Sequence, residues 1–127
     1  MTELKTLLYT TTGPIARITL NRPHRGNAIT FAMPGELTAA VERANLDPAI
    51  HVIALSGAGK GFCGGYDLAQ FGQGQIDHPC QQERTPWDPM VDYAFMKKNT
   101  DDFMSLWHCP KPTIAKVHGA AVAGGSD

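Results

Sequence analysis

Two short apolar runs in this chain each lead directly into a cluster of glycines. Residues 52–55 (Val-Ile-Ala-Leu) enter a turn at residues 56–65, and residues 114–117 (Ile-Ala-Lys-Val) enter Gly119, Gly124 and Gly125. The first run, His51 to Leu55, is nearly all apolar and predicts a strand buried on both faces, and the second predicts a further strand. On α/β folds, chemistry gathers at the carboxyl ends of strands. Two strand-to-glycine junctions in one chain therefore mark a candidate site before any other feature is read.

The remaining segments fit around these junctions. Residues 7–11 and 15–20 are β-rich, and Gly13-Pro14 between them predicts a hairpin. Residues 21–27 are polar and read as a loop. Thr30 is a suitable helix cap, with Pro34 inside the tolerated first turn. Met33, Leu37, Ala40, Val41 and Ala44 follow at helical spacing, which leaves Glu36, Glu42 and Arg43 for the wet face. Asn45 and Asp47-Pro48 end that helix. Residues 67–71 suit one helical turn with Asp67 as its cap. Residues 73–89 are polar, proline-bearing and aperiodic, as a long surface loop or mobile lid would be. Met96, Phe103, Leu106 and Trp107 mark the apolar face of a helix over 91–107, with Phe103 and Trp107 assigned to the core. Lys97, Lys98, Asp101 and Asp102 supply its wet face. Residues 113–117 form a further strand. Hairpin, helix, strand, helix, strand is the order of an α/β architecture with helices packed on a sheet.

Composition narrows the function. The 127 residues suit one domain. Lys plus Arg number 11 against 12 Asp plus Glu, so no basic excess exists to neutralise phosphates, and nucleic acid is not an expected partner. No apolar stretch is long enough for a membrane span. The first residues lack the apolar segment of a signal peptide. Cys63, Cys80 and Cys109 have no paired spacing, so reduced thiols and a cytoplasmic location are expected. His78-Pro79-Cys80 and His108-Cys109 lack metal-ligand spacing, and no metal is expected.

Gly59-Lys60-Gly61-Phe62-Cys63-Gly64 matches the dinucleotide pattern GxGxxG. That pattern should open a long helix, whereas Gly72 cuts the following turn short. Another reading takes the two glycine turns together. Glycines leave backbone N–H groups unshielded, and one donor from each turn converging on a single oxygen is an oxyanion hole. Such a pair would hold the enolate formed when a thioester loses its α-proton.

Ile18-Thr19-Leu20-Asn21-Arg22-Pro23, followed by Asn27-Ala28, resembles the opening signature of the enoyl-CoA hydratase/isomerase (crotonase) superfamily. Residues 62–68 (Phe-Cys-Gly-Gly-Tyr-Asp-Leu) resemble its first oxyanion motif, and residues 111–125 its second. All three stand in family order. The resemblance implies the N-terminal part, residues 1–127, of a crotonase-like (ClpP/crotonase) spiral of ββα units. It implies an acyl-CoA thioester as substrate, no separate cofactor, and a homotrimer or hexamer of the full-length protein. It places the thioester oxygen between the backbone N–H groups of Tyr66 and Gly124. Gly64 would meet the adenine of coenzyme A, and Tyr66, Asp67, Leu68 and Ala69 would line the thioester. Arg25 would approach the nucleotide, and Ala28 the pantetheine arm. Asp127 matches the first of two acids that handle the water and the α-proton, the second falling beyond residue 127. A helix opening at residues 124–127 would aim its dipole at the oxyanion.

Departures from the family pattern keep the reaction open. Hydratases usually carry glutamate where this chain has Asp127, and aspartate falls short by about 1.5 Å, one C–C bond. Misplacement near 1 Å can cost about a hundredfold in rate. Tyr66 stands where alanine is common, and His118 where asparagine is. Hydration is the leading expectation. Isomerase or dehalogenase-like chemistry, or a thioester-binding fragment without catalysis, are the alternatives.

Overall fold

A computed structural model describes residues 3–72 and 87–127. The loop expected over 73–89 lies outside the described residues as far as residue 86, and so does the His78-Pro79-Cys80 group. The hairpin strands are β1 (Leu7–Thr12) and β2 (Ile15–Leu20), paired antiparallel around Gly13-Pro14. The helix α1 (Met33–Leu46) then leads to β3 (Val52–Gly57), which lies parallel to β2. The short α2 (Leu68–Gly72) and the long α3 (Pro89–His108) precede β4 (Thr113–Lys116), parallel to β3. The sheet has four strands in the order β1-β2-β3-β4. Tight turns at Pro23–Arg25 and Ala123–Gly125 complete the described residues.

The core sits between α1 and the first three strands. Alternation along β2 turns Ala16, Ile18 and Leu20 inward. They meet Met33, Leu37, Ala40, Val41 and Ala44, the five positions the helical spacing had assigned to that face. Thr30 does accept a hydrogen bond from the Met33 N–H at 3.2 Å, although α1 itself begins only at Met33. The other end of α1 is closed from a distance. Lys111 Nζ donates to the carbonyls of Ala44 (2.6 Å) and Asp47 (2.7 Å), and so supplies a cation where the helix dipole is negative.

Two expectations fail here. Glu36 is not on the wet face: it is only 4% exposed, and its carboxylate accepts the N–H groups of Lys5 (2.7 Å) and Thr6 (2.9 Å) and the Thr6 hydroxyl. A buried carboxylate must find donors, and the chain preceding β1 provides them. Trp107 is not in the core: it is 79% exposed, while Phe103 and Leu106 of the same helix pack on the core cluster. Met96, on the same expected face, is 42% exposed as well, so the spacing marked the packed side of α3 correctly only at Phe103 and Leu106. The strand expected to be buried on both faces, β3, has Ile53 fully buried and its other residues half-buried, while β4 is exposed along its whole length.

Candidate functional site

The strands β2, β3 and β4 run parallel, with Leu20 level with Gly57 and Ser56 level with Lys116. Their carboxyl ends therefore open on one edge, where residues 21–29, 58–67 and 117–127 meet.

Asn27 organises the first two of these segments. It is completely buried, and its φ of 54° is a left-handed conformation that asparagine tolerates. Its side-chain nitrogen donates toward the carbonyls of Ala58 (2.8 Å), Gly61 (3.1 Å) and Phe62 (3.0 Å). Its side-chain oxygen accepts the Arg22 N–H at 2.8 Å. Cys63 Sγ reaches the Asn27 carbonyl at 3.2 Å, and burial raises the thiol's pKa, which disfavours a reactive thiolate. The Asn27 amide thus ties down carbonyls that a loop of glycines would otherwise leave loose.

The two glycine turns are stitched to each other. The N–H groups of Phe62 and Cys63 donate to Ala120 O, and Val122 N–H donates to Cys63 O, which makes a parallel bridge between Cys63 and Ala121. A second bridge joins Ile29 to Tyr66. Gly65 sits at the crossing with φ +94°, and an added Cβ would lie 3.0 Å from Val122 O, so both conformation and space call for glycine. At Gly124 an added Cβ would stand 3.1 Å from Tyr66 Cε2, which puts these two residues in contact. The bridges use Gly65 O, Asp67 N, Cys63 O and Val122 N. The N–H groups of Tyr66 and Gly124 have no acceptor among the described residues.

Asp67 caps α2 as expected, accepting from the N–H groups of Ala69 (3.0 Å) and Gln70 (3.3 Å). It also pairs with Arg22 at 3.1 Å and Arg25 at 3.5 Å. Burial alone would push its carboxyl up. The Arg22 hydrogen bond, the Gln70 N–H and the two guanidinium charges outweigh that and hold it below its ordinary value. Arg25, assigned from the sequence to the nucleotide-facing loop, is thus oriented by Asp67 while its guanidinium stays half exposed. Sequence reasoning named Arg22 only within the opening signature and missed this pairing; Arg22 also donates to Ala28 O at 2.7 Å.

Of the other named residues, Gly64 is exposed and donates its N–H to Gly26 O at 2.9 Å, and Ala28 is half-buried beside it. Leu68 and Ala69 are exposed on α2. Gly124 and Asp127 line a largely apolar cavity of about 640 Å³ that also touches Phe103 and Leu106. Gly124 therefore touches Tyr66 as well as that cavity. Burial raises the pKa of the Tyr66 hydroxyl, a hydrogen bond with the Asn99 amide pulls it down, and the Asp127 carboxylate adds to the rise. Where the resemblance has a helix open, at residues 124–127, with its body beyond residue 127, the described residues form a tight turn, Ala123–Gly125, with Ala123 in a left-handed conformation at φ 49°. His118 Nε2 donates to Gly59 O at 2.8 Å. Among the described residues no group of three or more acidic, histidine or cysteine side chains could hold a metal, and no helix is long and apolar enough to cross a membrane.

A small sheet whose parallel strands end in interlocked glycine turns defines an α/β protein with its candidate site at that edge, and the comparisons specify the family. The profile of the enoyl-CoA hydratase/isomerase family matches residues 10–127, and this chain belongs to that family. It is 38% identical over 125 residues to a probable enoyl-CoA hydratase, EchA14, of Mycobacterium tuberculosis, a match that covers 98% of this chain and 44% of that protein. It is 32% identical over 114 residues to the mitochondrial Δ(3,5)-Δ(2,4)-dienoyl-CoA isomerase of Rattus norvegicus, covering 89% of this chain and 34% of that protein. Its fold is similar to the crystal structure of an enoyl-CoA hydratase from Mycobacterium smegmatis, with a TM-score of 0.84 and 50% identity, covering 98% of this chain and 44% of the other. The fold is crotonase-like, and these residues cover its N-terminal part. The chain spans less than half the length of these relatives.

Proposed function

We propose that these residues form the thioester-binding side of an enoyl-CoA hydratase-type site. The reaction is the reversible addition of water to a 2-enoyl-CoA. The observation that carries this reading is the pair of backbone N–H groups, Tyr66 and Gly124, left without acceptors on two turns held in contact. The thioester oxygen sits between them. As water adds at C3, Asp127 takes the water's proton and the C2–C3 π electrons move toward the carbonyl oxygen. The two N–H groups hold the enolate charge until C2 takes up a proton from the second acid of the family pattern, which lies outside residues 1–127. Loss of one such donor costs about 3–4 kcal/mol of transition-state stabilisation in comparable sites. Arg25, oriented by Asp67, faces the nucleotide of coenzyme A. Gly64 and Ala28 leave room for its adenine and pantetheine, and Leu68 and Ala69 border the thioester. Coenzyme A is part of the substrate and no further cofactor takes part. A homotrimer or hexamer of the full-length protein completes the proposal.

Asp127 is one acid, and hydration moves two protons. Residues 1–127 by themselves should therefore bind the thioester and turn it over little. Calorimetric titration with crotonyl-CoA and a hydration assay test the two parts. Saturable binding with negligible turnover is the expected result. Absence of binding would contradict the thioester site, and substantial turnover would contradict the shortage of acid groups. A double-bond shift without hydration would favour the isomerase branch, to which the rat relative belongs by name.

A further inference from the structure

The fold uses only one side of α3. Phe103 and Leu106 pack on the core cluster, and the Thr38 hydroxyl donates to the Asp102 carboxylate at 2.9 Å, which fixes α3 against α1. The opposite side carries Met90, Tyr93, Lys97, Thr100, Met104 and Trp107. Their spacing alternates between three and four residues, the period at which one helix lies along another. The four apolar members are exposed: Met90 by 64%, Tyr93 by 59%, Met104 by 36% and Trp107 by 79%. Thr100 turns its hydroxyl onto the Met96 carbonyl at 2.9 Å, so that group can lose its water without losing its hydrogen bond. An exposed apolar stripe along a helix that is anchored from behind marks an interaction surface.

We propose that this stripe pairs with the same stripe of a second copy of the chain, antiparallel, about a two-fold axis between Lys97 and Thr100. The arrangement is self-complementary. Met90 comes level with Trp107 of the second copy, and Tyr93 with Met104 of the second copy, so both ends are built of a thioether against a ring. Charge sets the direction. Lys97 and Asp101 pair at 2.6 Å within one helix, and both side chains are more than half exposed. Antiparallel pairing brings Asp101 of the second copy within one residue of level with Lys97, so opposite charges meet twice across the axis. Parallel pairing sets Lys97 against Lys97 and Asp101 against Asp101, and it also aligns the two helix dipoles. The six side chains expose on the order of 600 Å² per copy, so a pair covers up to about 1,200 Å², enough for a weak specific interface. Such a contact closes at two copies. It is separate from the threefold assembly proposed above and does not depend on the thioester site.

Sedimentation equilibrium of the unmodified chain tests it. A reversible step from 13.7 kDa to twice that mass is expected, with a Kd on the order of 10 μM. A mass that stays at one copy throughout the micromolar range would overturn the inference. Trp107→Glu, at an exposed position that folding does not need, should weaken association at least tenfold. Lys97→Asp and Asp101→Lys should each weaken it about tenfold alone, and mixing the two variants should restore it, because every pair across the axis is then again of opposite charge. Dimers that ignore all three substitutions are built elsewhere and would overturn it too. Direction is read by mixing Tyr93→Cys with Met104→Cys under mild oxidation. A disulfide between positions 93 and 104 is expected in the mixture. Neither variant should link to itself at that position, because its two copies stand about 16 Å apart along the axis. Self-linking of Tyr93→Cys, with no link between 93 and 104 in the mixture, would overturn the antiparallel pair.

Discussion

The two glycine turns bring one N–H donor each to the same place, yet they are held in different ways. The first, at residues 57–67, is braced from inside the protein. Phe62 and Cys63 are buried, the Asn27 amide holds three of its carbonyls, and Asp67 anchors its end to α2 and two arginines. The second, at residues 118–126, is largely exposed. It follows an edge strand, its backbone is held mainly by bonds to the first turn, and Ala123 carries a left-handed conformation just before Gly124. The first turn is pre-organised by the core, and the second takes its position from the first. The α1 side of the sheet shows the same contrast with the β4 side, where Ile114, Val117 and Val122 are exposed.

Substitutions can break this dependence at chosen points. The largest effect is expected at Asp67. Asp67→Ala leaves the partly buried Arg22 without its carboxylate, and should lower unfolding free energy by about 3–5 kcal/mol in urea titrations. The same group predicts a pH dependence. Its folded pKa lies below the ordinary 3.8, so its contribution is complete above that pH and fades as pH falls through the folded value. Asp67→Asn should flatten the acid limb of a stability profile measured from pH 2 to 6. Asn27→Ala should cost about 2–3 kcal/mol by leaving buried carbonyls unpaired. It should also speed amide exchange in both turns, and faster exchange in the first turn alone would contradict the dependence. Gly125→Ala drives a Cβ into the Cys63 carbonyl, and should cost about 1–3 kcal/mol with faster exchange confined to the second turn. The smallest effect belongs to Ala123→Gly, which relieves backbone strain and adds unfolded-state freedom, so stability should change by less than about 1 kcal/mol.

Much of this arrangement was legible in the residues. The period of 3.6 in α1 reflects burial against β2, and it located that side of the core correctly. The strand-to-glycine junctions pointed to the edge where residues 21–29, 58–67 and 117–127 meet, because parallel strands end on one edge. Glu36 and Trp107 were misassigned for a common reason: periodicity reports which face a residue occupies, not how far the neighbouring layer extends. Asn27 and Lys111 stood in the sequence only as members of family-like motifs. Their roles here depend on partners 31–67 residues away. Only the folded chain brings those groups together.

The central claim concerns two particular N–H groups, and backbone amide NMR can observe both. Crotonyl-CoA labelled with ¹³C at the thioester carbonyl should be titrated into ¹⁵N-labelled chain. Downfield proton shifts at the Tyr66 and Gly124 amides with one common affinity, and a matching downfield shift of the labelled carbonyl, are the predicted result. Saturable binding that leaves either amide unmoved would contradict the account.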